Sequence, residues 1–447
     1  MKLRTTKLLI PALAVAMLAA ACGGAAPASS PAAAPGSAQP APARASSAAP
    51  SNAAAKAPAS SAPAAAAPAG PLKIGVVLPA TGPLSINGND NQDAMNLYLA
   101  SKGGKLAGRE IQLVYADDAG QPDTGLTKVT QLVDVNKVSL LMGLQSSGVC
   151  YAVAGYIRQK EIPAIAMADC AAQDLTTNPK YASPYLVRTI SPVATSADLA
   201  ADYLYYAGFR KAIVMTDDFV VGIQYSDLFC SAFIARGGTI VQEMHPPLGT
   251  NDFGPYLSQL KPEADVMVLF VTGTDGLRLA QQYPTYVNRK LQLFDMSGQT
   301  SNGPKRNQLG AAANGLIAQS QYMEALDTPA NQEFLKFWYQ KYPGKLPSQE
   351  NAYGWSGMQF LEAALQKVHG DVSDKQKFLN ALYTTRVETA RGTLKLDEHH
   401  DAVADDYIYE LETSGGKIVE KPIKTYSGMT QFWDRTPEQI AKFPLGK

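Results

Sequence analysis

The chain has 447 residues, with 39 Lys and Arg against 39 Asp and Glu, so its formal net charge is zero. A balanced charge excludes a dedicated nucleic-acid binder, whose phosphate contacts need clustered basic side chains. Four Cys and four His are too few and too scattered for a zinc-ribbon or iron–sulfur architecture.

Lys2, Arg4 and Lys7 precede an apolar run from Leu8 to Leu18, and small residues then lead into Cys22. A basic start, a short apolar core and a small-residue cleavage region read as a secretory signal over residues 1–21. The run falls short of the roughly 20 residues that a membrane span needs. The stretch Leu18-Ala19-Ala20-Ala21-Cys22-Gly23 resembles a bacterial lipobox, with its Leu one place further out than usual. The resemblance implies that Cys22 is lipidated and becomes the mature N-terminus. From Gly23 to Gly70 all residues except Gln39, Arg44, Asn52 and Lys56 are Ala, Pro, Ser or Gly. Such a segment has nothing to bury against its ordering entropy, so residues 22–71 are expected to form a disordered tether.

From Leu72 onward, short apolar runs alternate with helical stretches. Leu72–Pro79, Glu110–Ala116, Ser139–Gly143 and Ile162–Met167 read as strands; Asn91–Ser101, Asp123–Val135 and Gly148–Lys160 read as the intervening helices. Alternation of this kind implies a parallel sheet covered on both faces. The pattern then repeats: strands at Ala212–Thr216, Thr239–Met244 and Val266–Val271, with a helix at Val221–Ala235. A divergent duplication means two similar lobes, not one large sheet. Further helices are predicted at Pro329–Tyr342, Ala352–Val368 and Asp374–Tyr383, then strands at Thr393–Leu396 and Asp406–Leu411 joined by a polar turn at Asp397–Asp401. The tail from about Lys417 has no clear assignment.

Several fragments in order resemble the type I periplasmic binding proteins, in their branched-chain amino-acid (Leu/Ile/Val)-binding branch serving ABC importers. They are Ile74–Pro83, Asn91-Gln92-Asp93-Ala94, Ala116-Asp117-Asp118-Ala119, Met142–Ser147, Leu186-Val187-Arg188-Thr189 and Gly392–Asp397. The resemblance implies an α/β fold of two Rossmann-like lobes with parallel sheets, joined by three crossovers near Ile190–Val193, Gln319–Met323 and Leu394–Asp397. Residues 72–190 plus 323–393 would form the first lobe. Residues 191–322 plus 394–447 would form the second lobe and a C-terminal extension. A small-molecule ligand would be clasped between them, and the chain, monomeric and membrane-anchored, would dock on ABC permease subunits.

In open parallel sheets, ligands sit beyond the carboxyl ends of the strands, beside helix N-termini whose free N–H groups favour anions. Gln145, Ser146 and Ser147 lie in that position and are expected to form an anion site for a carboxylate, a role compatible with helix capping by the two serines. The resemblance adds Ala168, Asp169 and Cys170 as a second ligand-binding segment. In the second lobe Phe219, Val221, Thr272, Thr274 and Ser297 follow strand ends, and Tyr353 near the start of a first-lobe helix can line an apolar slot. By resemblance, amino-acid binders hold the α-ammonium with an acid where Ser297 stands. Their aromatic residues fall near Val221 and Asn87. Asp169 is an acid outside that pattern. A buried ammonium without a partner is costly, so a small carboxylate, aromatic acids favoured, is expected over leucine or valine. Branched-chain or other amino acids are the alternative ligands, and reporting to a membrane receptor is the alternative role.

Cys150 and Cys170 lie at one edge of a βαβ unit, and export permits oxidation, so a disulfide is expected between them. Cys230 is expected as a free thiol. By resemblance the family's own bridge would fall at Gly120 and Gln145. His399-His400 among Asp397, Glu398 and Asp401 reads as a solvated turn, not a metal site. No GxSxG elbow, HExxH helix or P-loop occurs, so neither an enzyme nor a cofactor is expected.

Overall fold

A computed structural model describes residues 70–441, except Arg289 and Asp434. The signal segment, Cys22 and nearly all of the tether lie outside the described residues. The first lobe carries a six-stranded sheet in the order β2-β3-β1-β4-β5-β6. Its strands are β1 (Leu72–Leu78), β2 (Lys105–Leu106), β3 (Arg109–Asp117), β4 (Leu140–Gly143), β5 (Ala164–Ala166) and β6 (Leu186–Arg188). All pairings except the β2–β3 hairpin are parallel. Helices α1 (Ser85–Ser101), α2 (Pro122–Asp134) and α3 (Ser147–Lys160) connect them.

The second lobe repeats the plan. Strands β7 (Lys211–Thr216), β8 (Thr239–Met244), β9 (Val266–Phe270), β10 (Gln292–Asp295) and β11 (Ile317–Ser320) run parallel in the order β8-β7-β9-β10-β11. This matches the first lobe's parallel order β3-β1-β4-β5-β6 strand for strand. Helices α4 (Val193–Tyr206), α5 (Val220–Ala235), α6 (Gly254–Leu257), α7 (Gly273–Tyr286) and α8 (Lys305–Gln308) belong to this lobe. The chain returns to the first lobe for α9 (Pro329–Lys341), α10 (Gln349–Lys367) and α11 (Lys375–Tyr383). It then forms the hairpin β12 (Arg386–Thr389) and β13 (Gly392–Leu396), followed by the long strands β14 (Ala402–Ser414) and β15 (Lys417–Met429).

The central strands of each sheet are buried on both faces, and the strand period shows it. In β1, Leu72, Ile74, Val76 and Leu78 face the apolar cluster under α1 and α10, while Val77 faces the one under α2 and α3. In β9, Met267 and Leu269 point one way, and Val266, Val268 and Phe270 point towards α4 and α5. Helix α10 opens on a capping box of Ser348 and Asn351 and is buried along most of its length. Gly354 lets α1 pack directly on it, since a Cβ there would stand 2.4 Å from the Asn91 carbonyl oxygen.

The structure departs from the sequence reading in three places. Hairpin β12–β13 bonds to β14 at the edge of the second sheet, so it does not divide cleanly at residue 393. The tail from Lys417 becomes β15, paired antiparallel along β14. Its strand character was hidden because it is exposed and charged on the outside. The turn Asp397–Asp401 is not simply solvated. Asp401 is fully buried and ion-paired with Arg188, which is also buried, at 2.5 and 2.7 Å. Arg188 also donates to the Cys170 and Ala172 carbonyls, and His400 stacks on Tyr383 at 3.9 Å. Among the described residues no cluster of His, Cys, Asp and Glu has a metal-holding arrangement.

Removing one partner of a fully buried ion pair leaves the other charge uncompensated. Asp401→Asn should therefore lower stability by about 3–5 kcal/mol. Removing the exposed Lys160–Asp134 pair should leave stability nearly unchanged. Urea unfolding checks this; equal midpoints for wild type and Asp401→Asn would refute it.

Candidate functional site

The two lobes meet along α1 and α7. The Pro83 carbonyl accepts from the Thr274 backbone N–H (3.0 Å) and hydroxyl (3.1 Å), so a first-lobe loop caps the start of a second-lobe helix. Gly273 makes that approach possible: its φ is +56°, and a Cβ there would lie 2.4 Å from the same carbonyl oxygen. The cleft is closed.

Behind this contact lies a buried polar cluster drawn from both lobes. Gln299 is its centre: its Nε2 donates to Asp169 Oδ2 (2.8 Å) and Glu350 Oε1 (2.8 Å). Its Oε1 accepts from the Asn87 amide (3.0 Å) and the Thr272 hydroxyl (3.1 Å). Gln145 Nε2 also reaches Asp169 (2.8 Å), and Asn91 Nδ2 reaches Glu350 Oε2 (3.0 Å). The buried Lys305 ammonium donates to the Gln299 carbonyl (2.7 Å). Burial pushes the carboxyls of Asp169 and Glu350 up, Glu350 well above the usual range, with mutual repulsion the next cause for Glu350. Burial also pulls Lys305 down, against the attraction of Glu350. Both carboxyls are thus pushed towards neutrality, Glu350 more strongly, while the nearby Lys305 ammonium pulls against that shift in each.

A cavity opens beside Asp169 in the cleft. Ala171, Ile190, Val221, Tyr225, Phe270 and Tyr353 give it apolar and aromatic walls, and Tyr225 stacks on Phe270 at 4.1 Å. Its polar lining is Asp169, Ser191, Ser196, Ser297, Gln299, Gln319, Ser320, Gln321 and Gln349. In this closed form about 20 Å³ is open to the centre of a water molecule, room for about one water, so an organic solute requires the lobes to part further. Three lining atoms, Ser191 Oγ, Ser297 Oγ and Gln319 Oε1, are buried with no hydrogen-bond partner among the described residues. Native proteins rarely leave such groups unsatisfied, and a solute or a water in the cavity would serve them.

Of the residues singled out in the sequence, Asp169, Val221, Ser297 and Tyr353 line this cavity. Asn87, Gln145 and Thr272 belong to the polar cluster behind it. Phe219 stacks behind Phe270 at 6.2 Å, and Thr274 serves the contact with Pro83. Ser146, Ser147, Ala168 and Cys170 are buried but do not line the cavity. The segment after β5 folds over the start of α3, where the Ser147 hydroxyl accepts from the Ala172 N–H (3.1 Å). A disulfide joins Cys150 to Cys170, with Cα atoms 6.4 Å apart, and holds that segment in place. Cys230 is a free thiol, its pKa pushed up to about 12 by burial. Glu350, Lys305, Tyr225 and Phe270 were missed. The run Gln319-Ser320-Gln321 was placed on a crossover but not in the site. Three polar residues closing the apolar run Leu316–Ala318 were its available signal.

The family model described as "Periplasmic binding protein" matches residues 71–417. The chain belongs to the periplasmic binding protein family; it is an extracytoplasmic solute-binding protein, not an enzyme. It is 26% identical over 366 residues to Leu/Ile/Val-binding protein homolog 6 of Brucella suis, covering 79% of this chain and 91% of that protein. An ABC transporter substrate-binding protein from Sphaerobacter thermophilus is 31% identical, with 81% and 99% covered and a TM-score of 0.74. A solute-binding protein of an ABC transporter from Rhodopseudomonas palustris, solved with 3,4-dihydroxybenzoic acid, is 27% identical, with 82% and 99% covered and a TM-score of 0.76.

A methyl group at residue 273 would collide with Pro83 only when the lobes are closed. Gly273→Ala should therefore shift the chain towards an open form while each lobe stays folded. Spin labels on exposed Leu126 and Ile234, in a Cys230→Ser background, should lose the short-distance population of the parent chain. An unchanged distance distribution would count against the closure contact.

Proposed function

We propose that this chain is the lipid-anchored, extracytoplasmic solute-binding subunit of an ABC importer, and that its solute is a small carboxylate, an aromatic acid in particular. The observation that carries this reading is the set of unsatisfied polar atoms, Ser191 Oγ, Ser297 Oγ and Gln319 Oε1, in a cavity walled by Tyr225, Phe270 and Tyr353. Flat aromatic walls suit a ring, which stacks or meets them edge-on. Serine hydroxyls supply donors for a carboxylate, and Asp169 and Gln319 supply acceptors for a ring hydroxyl. The neighbour from Rhodopseudomonas palustris, with its dihydroxybenzoic acid, supports the same class of ligand.

Charge separates this reading from an amino-acid binder. An α-ammonium needs a carboxylate partner once it leaves water, and Asp169 is the acid that lines the cavity. Its Oδ2 already accepts from Gln145, Gln299 and Asn87, and Lys305 supplies the balancing charge. An added ammonium would meet a site whose charge is already compensated.

Calorimetry of the purified chain against benzoate, 4-hydroxybenzoate, cinnamate, leucine, isoleucine and valine checks the ligand class. Binding of at least one aromatic acid is expected to be about tenfold tighter or more than binding of any amino acid in the set. Tight leucine, isoleucine or valine binding with no response to the acids would overturn it. The anchor is tested separately. Cys22→Ser should move the protein from the membrane fraction to the soluble fraction of a bacterial host, because acyl chains hold a protein at about 0.8 kcal/mol per buried CH₂. Retention of this variant in membranes would remove the lipid from the proposal.

A further inference from the structure

The three connections between the lobes bring one residue each to the same end of the cavity. Ser191 lies between β6 and α4, Gln321 follows β11, and Arg391 sits at the turn of the β12–β13 hairpin. Gln321 Oε1 accepts from the Ser191 backbone N–H (2.9 Å) and from Arg391 Nη1 (3.2 Å). Two donors on the oxygen fix the carboxamide, so its NH₂ is the end left for the cavity that Gln321 lines. The Ser191 hydroxyl, on a residue 2% exposed, has no partner among the described residues.

Arg391 is 3% exposed, yet it is held by neutral groups: Gln321, the Thr189 carbonyl (2.7 Å) and the Tyr353 ring at 4.7 Å. Among the described residues no carboxylate stands within ion-pair distance of it. Asp406, an acid close enough to attract it, has its own carboxyl pushed up to about 7 by burial and so is partly neutral at neutral pH. A buried guanidinium held in this way keeps a positive potential at the Gln321 end of the cavity.

We infer that Ser191 and Gln321, backed by Arg391, form the anion-binding end of the cleft and hold the solute's carboxylate where the three connections converge. Arg391 is a positioning residue that acts through Gln321. This assignment rests on the carboxylate reading above and moves the anion site from the start of α3, where the sequence pointed, to the connections between the lobes.

The test is calorimetry of the full chain with benzoate, 4-hydroxybenzoate and cinnamate, each beside its matched primary amide. The parent chain should prefer acid to amide. Gln321→Glu puts a carboxylate where the donor stood. It should lower acid affinity by about 10- to 100-fold and change amide affinity little, the range of a lost hydrogen bond to a charged group. Its melting temperature should hold or rise, because the new carboxylate pairs with Arg391, so loss of binding is not loss of fold. Arg391→Gln should erase the acid-over-amide preference, and Arg391→Lys should restore part of it. A parent chain that prefers acids while both Gln321→Glu and Arg391→Gln keep that preference overturns this assignment and leaves the carboxylate reading standing. A parent chain that shows no acid preference, or binds none of the acids, overturns the carboxylate reading and this assignment with it.

Discussion

The closed cleft depends on the carboxamide of Gln299. Among the described residues it is the one second-lobe side chain that donates to both first-lobe carboxyls, Asp169 and Glu350, and it also accepts from Asn87. These groups are all buried or nearly so, so each must find its partner inside the protein or leave a desolvation cost unmet. With the lobes apart, water can serve Asp169 and Glu350 beside the first-lobe amides of Gln145 and Asn91; with the lobes together, the Gln299 amide takes the place of that water. Closure therefore exchanges hydration for a fixed set of amide donors. That exchange explains why so polar a cluster sits behind a cavity with aromatic walls.

The connections between the lobes carry a second set of buried charges. Arg188, at the end of β6, pairs with Asp401, just before β14, and also holds the carbonyls of Cys170 and Ala172. The segment bearing Asp169 is thus fixed from two sides, by this guanidinium and by the Cys150–Cys170 bond. The tail adds to the same region: Gln431 accepts from Gln173 and donates to Asp397, and Arg435 pairs with Asp198 on α4. The C-terminal extension is part of the body of the protein, laid against the connections between the lobes.

The sheets were legible because buried parallel strands are short apolar runs, as in Leu72–Leu78 and Val266–Phe270, and Gly pairs mark the ends of the helices that follow. The exposed strand Lys417–Met429 was not, because charge and a Pro at position 422 mask its alternation. In the site, Asp169 was legible through the family resemblance, and Val221, Ser297 and Tyr353 from their places just past strand ends or near the start of a helix. Glu350, Lys305 and Arg391 were not. Charged residues in a sequence carry the same letters whether they face water or the core, and only the packing of α10, α8 and the β12–β13 hairpin buries these three. The rule that anions bind at helix N-termini pointed to Ser146 and Ser147, and it failed to anticipate the 168–173 segment that covers them.

Pro83, Gly249 and Gly273 form the rim where the lobes touch, and none of them lines the cavity. Their packing sets what fraction of molecules is closed, and an apparent dissociation constant is the intrinsic one divided by the competent fraction. A change at the rim therefore multiplies the affinity for every solute by a common factor. Selectivity, the ratio between solutes, is written in the walls of the cavity and passes through such a change untouched. Two properties of a receptor that usually vary together are held here by separate residues, so sensitivity can drift along the rim while the choice of solute stays fixed.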